Sequence, residues 1–439
     1  MKLDKRHILI LLSSVLIIFF IIFLAVFKRP EGADPEQKKP GLSKFRTLPY
    51  LAGKHKAPQK DKVTKFQPEF VSEGLNLYNS AHWPTAFLMD MKGKTLHRWR
   101  LRFRDAFPDL KDIDVWHNQR HWRLYWRKVH LFNNGDLLAS YEGNGLIKID
   151  SDSHLIWAAK GGFHHDFEVI ANRIYALNRR LITLPRIHEK EPILEDLITI
   201  LDIDGQVLDN ISILELFENS EYMSLLEGMP PFGDIFHTNT IEVFDGGLAA
   251  QSPLFKEGNV LLSFRMTDTI AIADLEEQKI VWAQKPGFWK VQHQPTLLDN
   301  GNILLFNNLY LGERADKAEY ERLIRTNGYR LIDEKLYTDE RSSVIEFNPQ
   351  TMEIVWEYKG DADNPFFSLA SGAIQRLPNG NTLITESDRG RVFEVTPEGQ
   401  IVWEYINPHR AGEEKDKIAV IFELIRFQPA ADFFIKRNK

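Results

Sequence analysis

Asn379-Gly-Asn-Thr-Leu-Ile-Thr385, Arg391-Val-Phe-Glu-Val395 and Glu398-Gly-Gln-Ile-Val-Trp-Glu-Tyr405 are three short runs of alternating or β-branched residues joined by Asn-Gly and Pro-Glu-Gly turns. Alternation puts successive side chains on opposite faces, and Asn-Gly supplies the left-handed turn an antiparallel hairpin needs, so the stretch predicts a small meander. The same order recurs upstream: Asn300-Gly-Asn-Ile-Leu-Leu-Phe306, Val344-Ile-Glu-Phe347 and Glu353-Ile-Val-Trp356; then Gly258-Asn-Val-Leu-Leu-Ser-Phe264, Ile270-Ala-Ile272 and Lys279-Ile-Val-Trp282. A further copy is Asn134-Gly-Asp-Leu-Leu138, Leu146-Ile-Lys-Ile149 and His154-Leu-Ile-Trp157, and looser ones span Gly74–Trp99 and Arg173–Leu208. A unit of ~45 residues with about four strands cannot bury both faces alone, and radial stacking solves that while leaving only short edges. The six units predict an all-β, six-bladed β-propeller in which the recurring tryptophans pack blade against blade.

Outward from the repeat the chain changes character. Ile8–Phe27 is an almost unbroken apolar run, and ~20 such residues at 1.5 Å rise cross a ~30 Å hydrocarbon core. The run is too long for a cleavable signal and leads directly into Lys28-Arg29-Pro30, which predicts an uncleaved single-pass anchor. Basic residues lie on both flanks, so charge does not orient it. The expected organisation is a cytoplasmic tip and membrane helix over 1–28, a solvated stalk over 29–63 and the propeller over 64–439, with a charged helical insertion at about 312–340. The stretch Asp112–His130 mixes Trp116, Trp122, Tyr125 and Trp126 with Arg120, Arg123, Arg127 and Lys128, and suggests a packed loop or a membrane headgroup zone. A net charge of −6 with interspersed signs gives no nucleic-acid surface. The absence of cysteine excludes disulfides and thiolate chemistry.

Propellers place ligands at the mouth of the central channel, where the innermost strands converge. Near the first strand of successive units stand Gly162-Phe-His164-His165-Asp166, His237-Thr-Asn239-Thr, Gln292-His293-Gln and, before Leu131, His130, where the last unit has Ser371-Gly-Ala373. Histidines at one phase would gather around the axis. Imidazoles there suit a metal, an anion or nucleophilic attack. No metal-spaced pair such as HExxH is present, whereas Arg265, at the end of Leu261–Phe264, would add a guanidinium suited to a tetrahedral oxyanion.

At these residues the sequence resembles the bacterial arylsulfotransferase family over about Gly162–Pro408. The motifs are His-His-Asp-Phe at 164–167, His-Thr-Asn-Thr at 237–240, Ser-Phe-Arg at 263–265 and Gln-His at 292–293, followed by Ser371–Ile384, Gly390–Glu394 and Ile401–Pro408. Thr240 stands where the family has Ser, and Phe264 separates Ser263 from Arg265. The resemblance implies ping-pong transfer of a sulfuryl group from a phenolic sulfate donor to a phenol acceptor through a sulfated histidine, with no metal or nucleotide cofactor. It implies His293 as nucleophile, with His165, His237 and Arg265 holding sulfuryl oxygens and handling the phenol proton, and His164 and Asn239 as further substrate contacts. It also implies an inner-membrane protein with the propeller on the periplasmic or extracellular side. The alternative is a non-catalytic propeller of the same ancestry that binds a protein partner as a scaffold in an envelope assembly; a quinoprotein dehydrogenase fits less well, because no acidic calcium cluster is present.

Overall fold

The computed structural model describes residues 52–53, 55–109, 124–309, 341–412, 414–430 and 433–434. The anchor expected at Ile8–Phe27, most of the expected stalk, the expected insertion at 312–340 and the first part of the basic-aromatic stretch lie outside them. Among the described residues no helix is long and apolar enough to cross a membrane.

Each repeat unit folds as an antiparallel four-stranded sheet, and there are six. Blade 2 is Trp126–Leu131, Leu137–Tyr141, Gly145–Ile149 and Leu155–Lys160. Blade 3 is Phe167–Ile170, Arg173–Ile182, Ile193–Asp202 and Val207–Ser212. Blade 4 is Thr238–Val243, Val260–Phe264, Thr269–Asp274 and Lys279–Gln284; blade 5 is His293–Leu297, Ile303–Asn307, Ser343–Phe347 and Ile354–Tyr358. Blade 6 is Ala373–Arg376, Thr382–Glu386, Arg391–Val395 and Ile401–Ile406, with Lys62–Phe66 added as a fifth, outer strand. Blade 1 combines Leu75–Ser80, Thr85–Met89 and Thr95–Arg100 with the C-terminal Ile421–Phe427 as its inner strand, which closes the ring. A buried ion pair, Arg426 with Glu394, ties that closing strand to blade 6, and Arg426 Nε donates to Asn76 Oδ1 at 2.8 Å.

The repeated tryptophan joins the blades. From the outer strand of one blade its indole N–H donates to a turn carbonyl of the next: Trp99 to Gly135 at 2.9 Å, Trp157 to Ile203 at 3.1 Å, Trp356 to Pro397 at 2.8 Å and Trp403 to Met91 at 2.9 Å. Each bond satisfies a donor that burial would leave dry while the ring fills the gap between sheets. At the receiving turn Gly135 takes φ 94°, which a side chain would resist, and the Asn134 carboxamide accepts the Asp136 N–H at 3.1 Å, so Asn-Gly is there for its backbone.

Two regions depart from the unit. The second hairpin of blade 3, Arg173–Ile182 with Ile193–Asp202, runs ten residues a side and remains paired throughout. Residues 52–57 lie against the C-terminal segment: Val420 N–H donates to Ala52 O at 2.8 Å, Ile418 N–H to His55 O at 3.0 Å, and Ala57 N–H to Asp416 O at 2.9 Å.

Candidate functional site

The inner strands of all six blades converge on an open cup of about 300 Å³, each giving two consecutive residues: Arg127-Lys128, His165-Asp166, Asn239-Thr240, His293-Gln294, Gly372-Ala373 and Phe422-Glu423. The first residue of each pair forms one ring and the second another, one residue further along the strands. Across the second ring Lys128 Nζ lies 3.1 Å from Asp166 Oδ1 and 2.8 Å from Glu423 Oε2. Gln294 Nε2 donates to Glu423 Oε1 at 2.6 Å, and Gln294 Oε1 accepts the Ile374 N–H at 2.6 Å. Side chains from four blades, with the Ile374 N–H of a fifth, therefore bond across the channel at this level. The first ring is the more buried of the two: Arg127, His165, Asn239, His293 and Phe422 are all buried, whereas Lys128, Gln294 and Glu423 are half-buried.

His165 and His293 occupy the same phase, as the sequence suggested. Asn239 fills that phase in blade 4, and His237 precedes it by two residues. His237 still reaches the group, with its ring centroid 4.8 Å from that of His165. His130 corrects the expectation: it lies three residues beyond Arg127, toward the far end of the blade 2 inner strand, with its ring edge on Phe132 at 4.8 Å. The phase it was assigned belongs to Arg127. The stretch that suggested a packed loop or headgroup zone therefore ends, over Trp126–Leu131, as an inner strand lining the cup.

The local backbone explains how the imidazoles are aimed. His165 and His237 each stand just before an inner strand with φ 51°, a conformation uncommon for a residue with a side chain. Each bend is pinned by a carboxylate accepting the backbone N–H: Glu142 Oε2 at 3.0 Å for His165 and Asp234 Oδ1 at 3.0 Å for His237. The other oxygen of Asp234 accepts from His237 Nδ1 at 2.6 Å, which leaves Nε2 as the outward nitrogen. Burial would raise the Asp234 carboxyl, but His237 beside it holds it below the usual carboxylate range. Thr238 donates its N–H and hydroxyl to Asp196 Oδ2 at 2.9 and 2.6 Å.

His164 lies behind His165, their Nδ1 atoms 2.9 Å apart, with His164 Nε2 3.6 Å from Asp196 Oδ1. Arg265 is buried beside His237, donating its N–H to the His237 carbonyl at 3.3 Å. Burial first, and then the Arg265 charge, push His293 well below the usual histidine range; burial followed by His237 does the same to His165, and burial followed by Arg179 to His164. These three rings are neutral at pH 7, and a neutral imidazole keeps a lone pair. His293 is held at one nitrogen: Nδ1 meets Asn308 Oδ1 at 2.7 Å, and Nε2 is buried without a hydrogen-bond partner. Asn239 Nδ2 donates to Gln292 O at 2.7 Å, holding the backbone just before His293, and Gln292 is itself fastened to blade 4 through Thr269 O at 2.9 Å.

Among the described residues, one set could bring three metal donors within 4.8 Å of one another: Glu142, His164 and His165. Arg179 Nη2 lies 3.8 Å from Glu142 Oε1, so that carboxylate already faces a cation. Arg127, Arg265 and the imidazoles set several donors around a neutral His293, an arrangement that suits a tetrahedral oxyanion and its transfer. Sequence reasoning had not singled out Arg127, Glu142, Asp234 or Asn308. Only Asp234 carried a local signal, three residues before His237.

A family model described as arylsulfotransferase (ASST) matches residues 128–408. No curated protein matches the sequence significantly. Among solved structures, a protein of unknown function from Bacteroides caccae is 14% identical, with 80% of this chain and 98% of that chain covered and a TM-score of 0.44. The WD40 β-propeller domain of Doa1 is 11% identical, covering 82% and 86% with a TM-score of 0.40. Virginiamycin B lyase from Staphylococcus aureus is 9% identical, covering 64% and 70% with a TM-score of 0.34.

Proposed function

Because the chain belongs to the arylsulfotransferase family, we propose that it moves a sulfuryl group from an aryl sulfate ester to a phenol through a covalent intermediate on His293. The observation that carries this reading is the buried, partnerless Nε2 of a neutral His293 on the wall of a cup whose other walls bring Arg127, His165 and Asn239, with His237 and Arg265 directly behind.

In the first half-reaction the Nε2 lone pair attacks sulfur in line, the N–S bond forms, and the S–O bond to the aryl oxygen breaks. Negative charge on the sulfuryl oxygens and the leaving oxygen meets Arg265 and Arg127, in a water-poor pocket where fixed charge acts strongly. His237, held by Asp234, gives a proton to the departing phenolate. In the second half-reaction it takes one from the acceptor phenol, as a general acid and base must by microscopic reversibility. The apolar N-terminal segment anchors the enzyme, with the propeller on the extracytoplasmic side.

A scaffold propeller is the second reading, favoured by the Lys128, Asp166, Glu423 and Gln294 bonds across the channel. Those bonds join the second residue of each pair, and Arg127, His165, Asn239 and His293 still line the same cup. The test is incubation of the detergent-solubilised chain with 4-nitrophenyl sulfate and a phenol, with mass spectrometry of His293. Nitrophenol release with an adduct lost in His293→Ala is expected. A folded protein giving neither release nor adduct across several aryl donors would transfer the assignment to the scaffold.

A further inference from the structure

Two histidines of this site are held through Nδ1, and by different chemistry. His237 has a carboxylate, Asp234 Oδ2, at 2.6 Å; His293 has a carboxamide, Asn308 Oδ1, at 2.7 Å. The carboxamide is locked. Asn308 follows the blade 5 strand Ile303–Asn307, is fully buried, and its Nδ2 reaches the carbonyl oxygens of Ser368 at 2.7 Å and Ser371 at 3.0 Å. Carbonyls only accept, so the nitrogen must face them and the oxygen must face His293. These carbonyls are fixed in turn: Ser368 Oγ donates to Ser371 O at 2.6 Å, and Ser342 Oγ donates to the Asn308 carbonyl at 2.8 Å while accepting the Ser368 N–H at 3.0 Å.

An amide oxygen is also only an acceptor, and a second acceptor, Val291 O, lies 3.0 Å from the same Nδ1. The proton of the neutral ring therefore sits on Nδ1, and the lone pair on Nε2. We infer that Asn308 is a positioning residue that fixes His293 as the Nδ1–H tautomer and, being uncharged, keeps a group carried on Nε2 easy to transfer onward. The second half of this inference rests on the sulfuryl-transfer reading.

The balance of the step shows why charge matters. When Nε2 bonds to sulfur and Nδ1 keeps its proton, the ring becomes a cationic N-sulfoimidazolium and the aryl oxygen leaves with the electron pair of the S–O bond. When the acceptor oxygen attacks, the N–S pair returns to the ring and the phenol proton leaves through the base. A carboxylate on Nδ1 would neutralise the ring cation and strengthen the N–S bond. A carboxamide holds the geometry without that stabilisation. The histidine that only moves protons has the carboxylate, which orients its ring and faces the charge the ring carries while it holds a proton.

The test uses the full chain with Asn308→Asp and Asn308→Ala. Two rates are followed separately: the first-turnover release of 4-nitrophenol, and the decay of the His293 adduct when a phenol is added. The tautomer of His293 is read by long-range ¹H–¹⁵N correlation in the unsubstituted protein. The expected tautomer is Nδ1–H. In Asn308→Asp, at alkaline pH where a buried aspartic acid ionises, adduct decay is expected to slow by about a factor of ten for each pH unit by which the ring becomes more basic, without slowing of adduct formation. In Asn308→Ala both rates should fall together, because the ring loses the side-chain acceptor that orients it and keeps only Val291 O on Nδ1. An Nε2–H tautomer in the unsubstituted protein overturns the positioning role. Equal slowing of both half-reactions by Asn308→Asp overturns the role of neutrality. A folded, unsubstituted protein with Nδ1–H and no adduct counts against sulfuryl transfer, and so against the lability argument, while upholding the positioning.

Discussion

The two sides of the cup are built in opposite ways. From blade 2 to blade 5 its first ring is Arg127, His165, Asn239 and His293; on blades 6 and 1 it is Gly372 and Phe422. Behind the first side stands a buried lattice of Glu142, Asp196, Arg179 and Arg265, with half-buried Asp234 at its edge. Behind the second stand hydrocarbon and rings: a Cβ at Gly372 would come within 2.5 Å of the Phe306 ring, and Tyr125 packs on Phe422 at 4.9 Å between centroids. Arg127 bridges the two, its guanidinium 4.6 Å from the Phe422 centroid. The difference teaches a division of labour. Buried imidazoles and cations must be oriented by dedicated partners, since an unmatched buried charge costs several kcal/mol. The other side needs only shape, and matches the uncharged ring of an aryl ester.

The largest effect should come from the charged side. Arg265→Ala removes a guanidinium placed where negative charge develops, and should lower kcat by about 10²–10³ with a smaller change in KM. Lysine should restore little, because a point charge on a flexible stem does not reproduce the planar fork. Phe422→Ala, on the other side, should raise KM roughly tenfold, the ~1.4 kcal/mol expected when an aromatic contact is lost, with kcat nearly unchanged. Steady-state kinetics with 4-nitrophenyl sulfate would check both. A Phe422 variant that loses kcat as severely as the Arg265 variant would break the comparison.

The two sides also differed in how far they could be read from sequence. Asn-Gly turns in three units and a tryptophan at fixed phase in five revealed the repeat, because hairpin geometry and blade stacking each depend on local residue chemistry; blade 3, with neither, followed from the order of its strands. His165 and His293 were legible through the same repeat. His237 was found only because histidine was sought nearby: its left-handed bend places it two residues before the shared phase and still returns its ring to the group. Arg127 was hidden because its strand follows a basic-aromatic stretch that breaks the repeat, which drew His130 into its slot. Glu142 and Asn308 follow the second strands of their blades and meet the histidines only through tertiary packing. Phe422 belongs to a strand contributed by the C-terminus to blade 1, a closure that the order of repeats does not announce. Arg179 and Asp196 lie on the lengthened hairpin of blade 3, whose extra residues carry no departure from strand alternation.

The smallest effect, in stability rather than rate, concerns the protons stored on the charged side and further along its strands. His164, His165 and His293 are held well below the histidine range, mainly by burial; burial also brings His130 and His409 to about 4 and His82 to about 3. Between these values and about pH 6.5 the unfolded chain binds protons that the folded chain refuses, so folding stability drops as pH falls through that window. Burial acts in the other direction on Glu168, raised to about 7, and on Glu242, raised to about 8. The folded chain holds those protons after the unfolded chain has released them near pH 4.5, so each carboxyl withdraws stability as pH rises toward its folded value. Six histidines oppose Glu168, Glu242 and Asp196, itself raised by burial to about 7, below about pH 6.5, and only the carboxyls act above it. The melting temperature should therefore peak near pH 6.5 and fall more steeply on the acid side. Glu242→Gln should flatten the alkaline slope and steepen the acid slope, because its carboxyl no longer opposes the histidines there. Scanning calorimetry from pH 5 to 9 would check this, and a melting temperature rising steadily to the alkaline end would show that the histidines, and not the buried carboxyls, dominate the whole range.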